Sequence, residues 1–298
     1  MSEAVSKKSN FSENKPSVSG FRRFRKAFLG RGLVVFGMVI IVIVLFAALF
    51  APWISPHDPY ETDLLSQHLG SSLEYPMGTD YLGRDILSRI IYGARTSLVA
   101  GLLSVIFASV IGMTLGLVAA YFGGKTNTII MRTIDAQMAI PSILLALTIS
   151  ALLGGGLHNV VIALSISGIP PYARMMCGQA LSIKENDYVL ASHAIGSSNL
   201  RTMFKHIAPN CFPPLIVMMT MRLGRNIIAE AGLSFLGVGI NPPGASWGSM
   251  IRDGFNYVFT EPTLSLFPGI VIMLTVFAYN MVGDGLRDAL DPRLRGSI

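Results

Sequence analysis

Uncharged apolar runs of near 20 residues recur along this chain, separated by short polar stretches rich in glycine, proline or charge. A helix that long crosses a hydrocarbon layer of about 30 Å. The pattern predicts six such helices. They fall at residues 33–51 (closed by Pro52), about 97–122, about 129–153, about 159–176 (interrupted by Pro170-Pro171), 212–240 and 264–286. The segment 53–95 between the first two is turn-rich and acidic, with a helix-like piece at 83–92 that suits the membrane interface. Gly123 to Asn127 and Gly154 to Gly156 read as tight turns, and 241–262 as a second long external connection. Residues 182–207 differ from everything around them, forming a polar, helix-compatible island between spans. There, Ser182 to Ile195 reads as one helix and Ser198 to Ile207 as another. Gly196 supplies the corner between them and Pro209 the stop. Apolar residues do not alternate with polar ones, so a β-barrel is excluded. The expectation is an all-α polytopic membrane protein.

Charge orients the helices. Only 13% of residues are charged, and eight of the 23 Lys and Arg residues precede Leu33, against two acidic residues. Such a cluster ahead of a first span marks a cytoplasmic N-terminus. With six spans, the tail, the Lys125 turn, the island with Arg174 and the C-terminus hold 16 basic residues, against four in the external loops. That asymmetry supports both termini inside, in a cell (plasma or inner) membrane. The first apolar run is too long for a signal-peptide core, so it reads as an uncleaved span. Residues 1–20 read as disordered from composition. The net charge of +6 is thereby accounted for by membrane orientation and lipid contact, and not by nucleic acid.

Several stretches resemble the peptide-importer permeases of the dipeptide and oligopeptide C type, a family that also carries nickel. These are Met77-Gly78-Thr79-Asp80-Tyr81-Leu82-Gly83-Arg84-Asp85, Tyr92-Gly93-Ala94-Arg95-Thr96-Ser97-Leu98, and Tyr172-Ala173-Arg174. They continue with Leu233-Ser234-Phe235-Leu236-Gly237-Val238-Gly239, Pro242-Pro243 through Ser246-Trp247-Gly248, and Gly283-Asp284-Gly285-Leu286-Arg287-Asp288. The island resembles the cytoplasmic coupling loop of importer-type ABC permeases. The resemblance implies a type-I importer core at 96–287, preceded by a basic tail (1–31) and a first span with its external loop (32–95), and followed by a short tail (288–298). It further implies a heterodimer with a second, related permease, two cytoplasmic ABC ATPase subunits, and an extracellular substrate-binding protein that delivers the cargo. Coupling would fall to Tyr188, Leu190, Ala191, Ser192, Ala194, Gly196 and Ser197, with Leu200, His206 and Pro209 completing the loop. The most favoured cargo is a dipeptide or oligopeptide; nickel or a metal chelate is the alternative.

The island departs from that family in one telling way. The acidic residue of its Glu-Ala-Ala is replaced by Leu190, ahead of Ala191 and Ser192. Losing it removes a charge-assisted contact, which weakens docking or marks a partner with a different cleft. Gly124-Lys125-Thr126 imitates a phosphate-binding loop, but the glycine required five residues earlier is Ala119, and no strand precedes it. ATP hydrolysis therefore belongs to other subunits. Arg222, Arg225 and Glu230 sit within the fifth span, where ionisable groups face a bundle interior, a partner or a watery path. They read either as a polar pathway for a zwitterionic cargo or as structural pairing. Arg132 and Asp135 lie near the inner interface, within reach of snorkelling. The five histidines show no metal-ligand spacing, and no catalytic motif is present. No cofactor and no metal are expected. A stand-alone secondary transporter is the rival from another class, but the chain shows no inverted repeat.

Overall fold

The computed structural model describes residues 28–290, all helix and connection except for a single antiparallel bridge between Thr79 and Asp85. The basic tail and residues 291–298 lie outside the described residues.

Helix α1, Gly32–Ile54, continues past Pro52, whose missing N–H falls in its last turn. Helix α2, Ile86–Phe122, runs unbroken for 37 residues. The separate interfacial piece expected at 83–92 is thus the first part of α2, which starts at Asp85. The Asp85 carboxylate caps it by accepting from the backbone N–H of Ser88 at 2.8 Å. At about 55 Å, α2 exceeds the membrane core.

The third predicted span is divided. Helix α3, Gly124–Met138, and α4, Ser142–Leu153, meet at a bend of 86°. Pro141 is the cause, because it cannot donate within a helix and pushes the residue before it out of the α region. Helix α5, Leu157–Lys184, shows the opposite: it runs through Pro170-Pro171 without interruption. There, Gln137 donates its side-chain N–H to the Ile166 carbonyl at 2.6 Å, and that carbonyl is the one Pro170 leaves without a helical partner.

The island forms α6, Asp187–Ala194, and the short α7, Asn199–Arg201. A π-type turn, Thr202–Ile207, then runs directly into α8, Ala208–Phe235. Pro209 does not stop this helix. It lies in the first turn of α8, next to the π-type turn that already departs from regular α-helical pairing. Helix α8 ends before residue 240, at a turn with Gly237 in the left-handed region (φ +84°). Helix α9, Trp247–Phe255, lies inside what reads from sequence as a loop, and α10, Thr263–Leu290, closes the described chain.

Helices α2 and α5 form the centre. Ala108, Gly112 and Gly116 recur at four-residue spacing on α2 and let the two backbones approach closely. Around them, Leu117, Tyr172, Met176, Ile207 and Leu215 close a core that reaches down to the island. Among the described residues, α1, α2, α5 and α10 are long and apolar enough to cross a membrane, with the bent α3–α4 pair a fifth candidate. Helix α8 has the length, at 28 residues, but carries Arg222, Arg225 and Glu230.

Candidate functional site

The island is a small hairpin seated on the core by one face. Val189, Ser192, Thr202, Met203 and Ile207 are buried beneath it, and the Ser192 and Thr202 hydroxyls lie 3.3 Å apart, joining its two arms. Gly196 turns the corner at φ +75°, a conformation that side chains with a Cβ rarely adopt. The Ser197 N–H closes this corner onto the Ser192 carbonyl at 3.0 Å. Lys184 donates to the Tyr121 carbonyl at 2.8 Å, and the Tyr121 hydroxyl donates to Asn199 at 2.8 Å. The second bond ties the hairpin to the end of α2, and the first ties to it the end of α5 that leads into the hairpin.

The opposite face is apolar and open. Tyr188, Leu190, Ile195, Leu200 and Phe204 are all exposed, as are Ala191, Ala194, Gly196 and Pro209. His206 and Ser197 are half-buried. Of the coupling residues read from the sequence, then, only Ser192 points inward as an anchor. Leu190, standing where the family carries its acid, is the middle of the exposed face. Phe204 is a member that sequence spacing missed, and the signal for it was weak because the π-type turn shifts the helical register.

Glu230 is not brought to the two arginines of α8. The Arg222 guanidinium lies 5.8 Å over the ring of Tyr172, and Arg225 is exposed. Glu230 is completely buried, and neither arginine reaches it. Its two oxygens instead accept from the hydroxyls of Ser97 on α2, at 2.9 Å, and Ser234, at 2.8 Å. Ser97 in turn accepts from the Trp247 N–H at 3.4 Å, and Ser234 from the Ile240 N–H at 3.1 Å. The N-terminus of α9 therefore points toward the carboxylate through Ser97, an orientation favourable to negative charge. Trp247, fully buried, donates its ring N–H to the Ile90 carbonyl at 3.0 Å. At Gly248, a Cβ would come within 2.4 Å of the Ala231 backbone.

A second cluster sits at the N-terminal end of α2. Asp80 accepts from Arg84 at 2.7 Å, and Arg84 also reaches Asp253 of α9 at 3.4 Å. Arg89, buried beside them, donates to the Pro59 carbonyl at 3.1 Å. His68 pairs with Glu261 at 2.7 Å. Charges that look loop-like in the sequence thus fasten the segment between α1 and α2 to α9 and to the turn before α10.

The family model for binding-protein-dependent transport system inner membrane components matches residues 112–296. The chain belongs to this family. A second model, the N-terminal transmembrane domain of oligopeptide transport permease C, matches residues 19–71. Among relatives, a putative peptide transport system permease protein of Brucella suis is 45% identical over 259 residues, 87% of both chains. A di/tripeptide transport system permease protein of Pseudomonas aeruginosa is 41% identical over 285 residues, 94% of both. A glutathione transport system permease protein of Escherichia coli is 41% identical over 279 residues, 93% of this chain and 90% of that one. The inward-facing methionine ABC transporter MetNI shares the fold, with a TM-score of 0.57 and 20% identity, over 69% of this chain and 98% of that one.

For an inner-membrane permease of an ABC importer, the geometry explains motifs that the sequence presents as separate. Tyr92 to Leu98, Leu233 to Gly239, and Ser246-Trp247-Gly248 converge on the Glu230 carboxylate. Ser97, Ser234 and Trp247 are neighbours around Glu230 that spacing alone does not bring together, because they come from three elements.

Proposed function

We propose that this permease moves short peptides, as one half of a heterodimer with a second, related permease. Two cytoplasmic ABC ATPase subunits drive it, and an extracellular binding protein loads it. In this reading the chain has six spans, α8 and the bent α3–α4 pair each counted as one, with both termini inside and the hairpin toward the ATPases. It divides into a basic cytoplasmic tail (1–31), a first span with its external loop (32–95), the permease core (96–287) and a short cytoplasmic tail (288–298). Support for peptide cargo comes from the putative peptide and di/tripeptide relatives; the glutathione relative widens the range to modified peptides.

The observation that carries the docking proposal is the two-faced hairpin. A helix held to the membrane domain by buried Val189, Ser192 and Thr202, with an exposed apolar face, suits insertion into a cleft on a partner. ATP-driven closure of the ATPases would move that helix, and the core beneath it, as a unit. With Leu190 in place of an acid, the cleft it enters is apolar at that point. Glu230, fully buried with both oxygens occupied, serves to hold α2, α8 and α9 together and does not contact cargo.

The test is affinity purification of a tagged full-length copy from membranes, followed by ATPase assay and uptake of a labelled dipeptide. Leu190→Asp should leave membrane levels unchanged while the ATPase subunits are lost from the purified complex. Retention of those subunits by Leu190→Asp would overturn the docking face. ATP-dependent uptake of a nickel chelate in place of the dipeptide would replace the peptide cargo.

A further inference from the structure

The α3–α4 break and the proline pair of α5 are fastened to each other. Gln137, in the last turn of α3, donates to the Ile166 carbonyl at 2.6 Å. Pro170, having no N–H, cannot serve that carbonyl. Two residues before Gln137, Asp135 accepts a hydrogen bond from Arg174, and Arg132 flanks the same carboxylate at 3.9 Å. Ile166 lies four residues before Pro170, and Arg174 four residues after it. One end of α3 thus grips α5 on both sides of its prolines.

The break itself, residues 139–141, is exposed in this chain. Non-helical backbone at membrane depth persists only where it is covered by protein or lines a watery cavity. Helix α5, the other half of the contact, continues toward the coupling hairpin, and its last residue, Lys184, is tied to the end of α2. A push on the hairpin therefore has a direct route along α5 to the break.

We propose that Gln137 and Asp135 form a two-pin clamp across the Pro170-Pro171 site, so that the α3–α4 break and α5 move together as one wall of the cargo passage. Gln137 is a positioning residue in this arrangement, since it acts through the backbone of α5. The ion pair is partly exposed and of small energetic weight; the clamp acts through geometry. The proposal rests on the chain's role as an ATP-driven permease and is independent of which cargo it carries.

The experiment uses the full chain in membrane vesicles together with its co-purifying subunits. Ile140→Cys places a thiol on the break, and the native Cys177 and Cys211 are buried. Labelling by a membrane-impermeant maleimide is compared without nucleotide and with ATP plus vanadate. The rate should differ by about fivefold or more between the two states. Adding Gln137→Ala should collapse that difference while subunit recovery stays at the parental level. Gln137→Glu, equal in size but unable to donate, should behave like the alanine variant, and Gln137→Lys, which restores a donor, should recover part of the difference. A state difference that survives both Gln137→Ala and Asp135→Asn would overturn the clamp, as would loss of subunits in step with loss of the difference. If no ATPase subunits co-purify with the parental chain, the importer assembly fails and not the clamp.

Discussion

A methyl group at Gly116 would sit 2.2 Å from the carbonyl oxygen of Ala173 and 2.9 Å from the Met176 Cβ. That contact cannot yield without moving α2 from α5, the central pair. Gly116→Ala should therefore destabilise the protein by about 1–3 kcal/mol through overpacking, read as a lower melting temperature in detergent. Gly116→Leu should prevent accumulation in the membrane. A similar argument applies to Glu230 through hydrogen bonding. Both serines accept from a backbone N–H, which leaves each hydroxyl proton free to point at the carboxylate. An amide offers only one accepting oxygen, so Glu230→Gln turns one N–H toward a serine already placed as donor. The expected loss is about 1–3 kcal/mol for an unsatisfied buried group, again measured by thermal melting. An unchanged melting temperature with altered transport would instead return Glu230 to the cargo path.

At the scale of elements, helices were legible in the sequence and proline effects were not. Apolar runs locate α1, α2, α5 and α10 because length and composition suffice to specify a membrane helix, whereas α8 has the length but carries Arg222, Arg225 and Glu230. Pro52, Pro141, Pro170-Pro171 and Pro209 look alike in sequence, yet only Pro141 coincides with a break. The difference lies in context: Gln137 satisfies the carbonyl freed by Pro170, and Pro209 follows a π-type turn whose pairing already departs from the α pattern. Helix α9 escaped notice because it is amphipathic and only nine residues long, though the Ser246 and Ser249 capping box marks its start. The corner at Gly196 was legible, since a glycine between two helical stretches has few other uses. With open space around it, substitution there brings strain without collision. Gly196→Val should cost about 1–3 kcal/mol of local strain, enough to distort the hairpin while the spans fold normally. Membrane levels should hold while recovery of ATPase subunits and ATP-dependent uptake both fall. Loss of the protein from the membrane would show that the corner serves folding alone.

The whole molecule turns on how the bent α3–α4 pair meets the membrane. A pair bent by 86° is either one broken span or a re-entrant segment that returns to its own side, and the two cases place the hairpin on opposite faces. The segment between α1 and α2 and the hairpin are separated by α2, the bent pair and α5. If the pair crosses, three crossings intervene and the two sites face opposite sides; if it returns, two intervene and they share a side. The distribution of lysine and arginine favours the crossing, because an external hairpin would carry Lys184, Arg201 and Lys205 to the wrong face. Single cysteines at Leu65, Ile195 and Phe259, exposed to 96%, 85% and 99% respectively, can decide this. An impermeant maleimide applied to intact cells should label Leu65→Cys and Phe259→Cys, and should reach Ile195→Cys only after the membrane is opened. Labelling of Ile195→Cys in intact cells would make the bent pair re-entrant, while protection of Phe259→Cys together with Ile195→Cys would remove α8 from the set of spans. The first result would separate the hairpin from the cytoplasmic ATPases, so the coupling proposal depends on the same measurement that settles the topology.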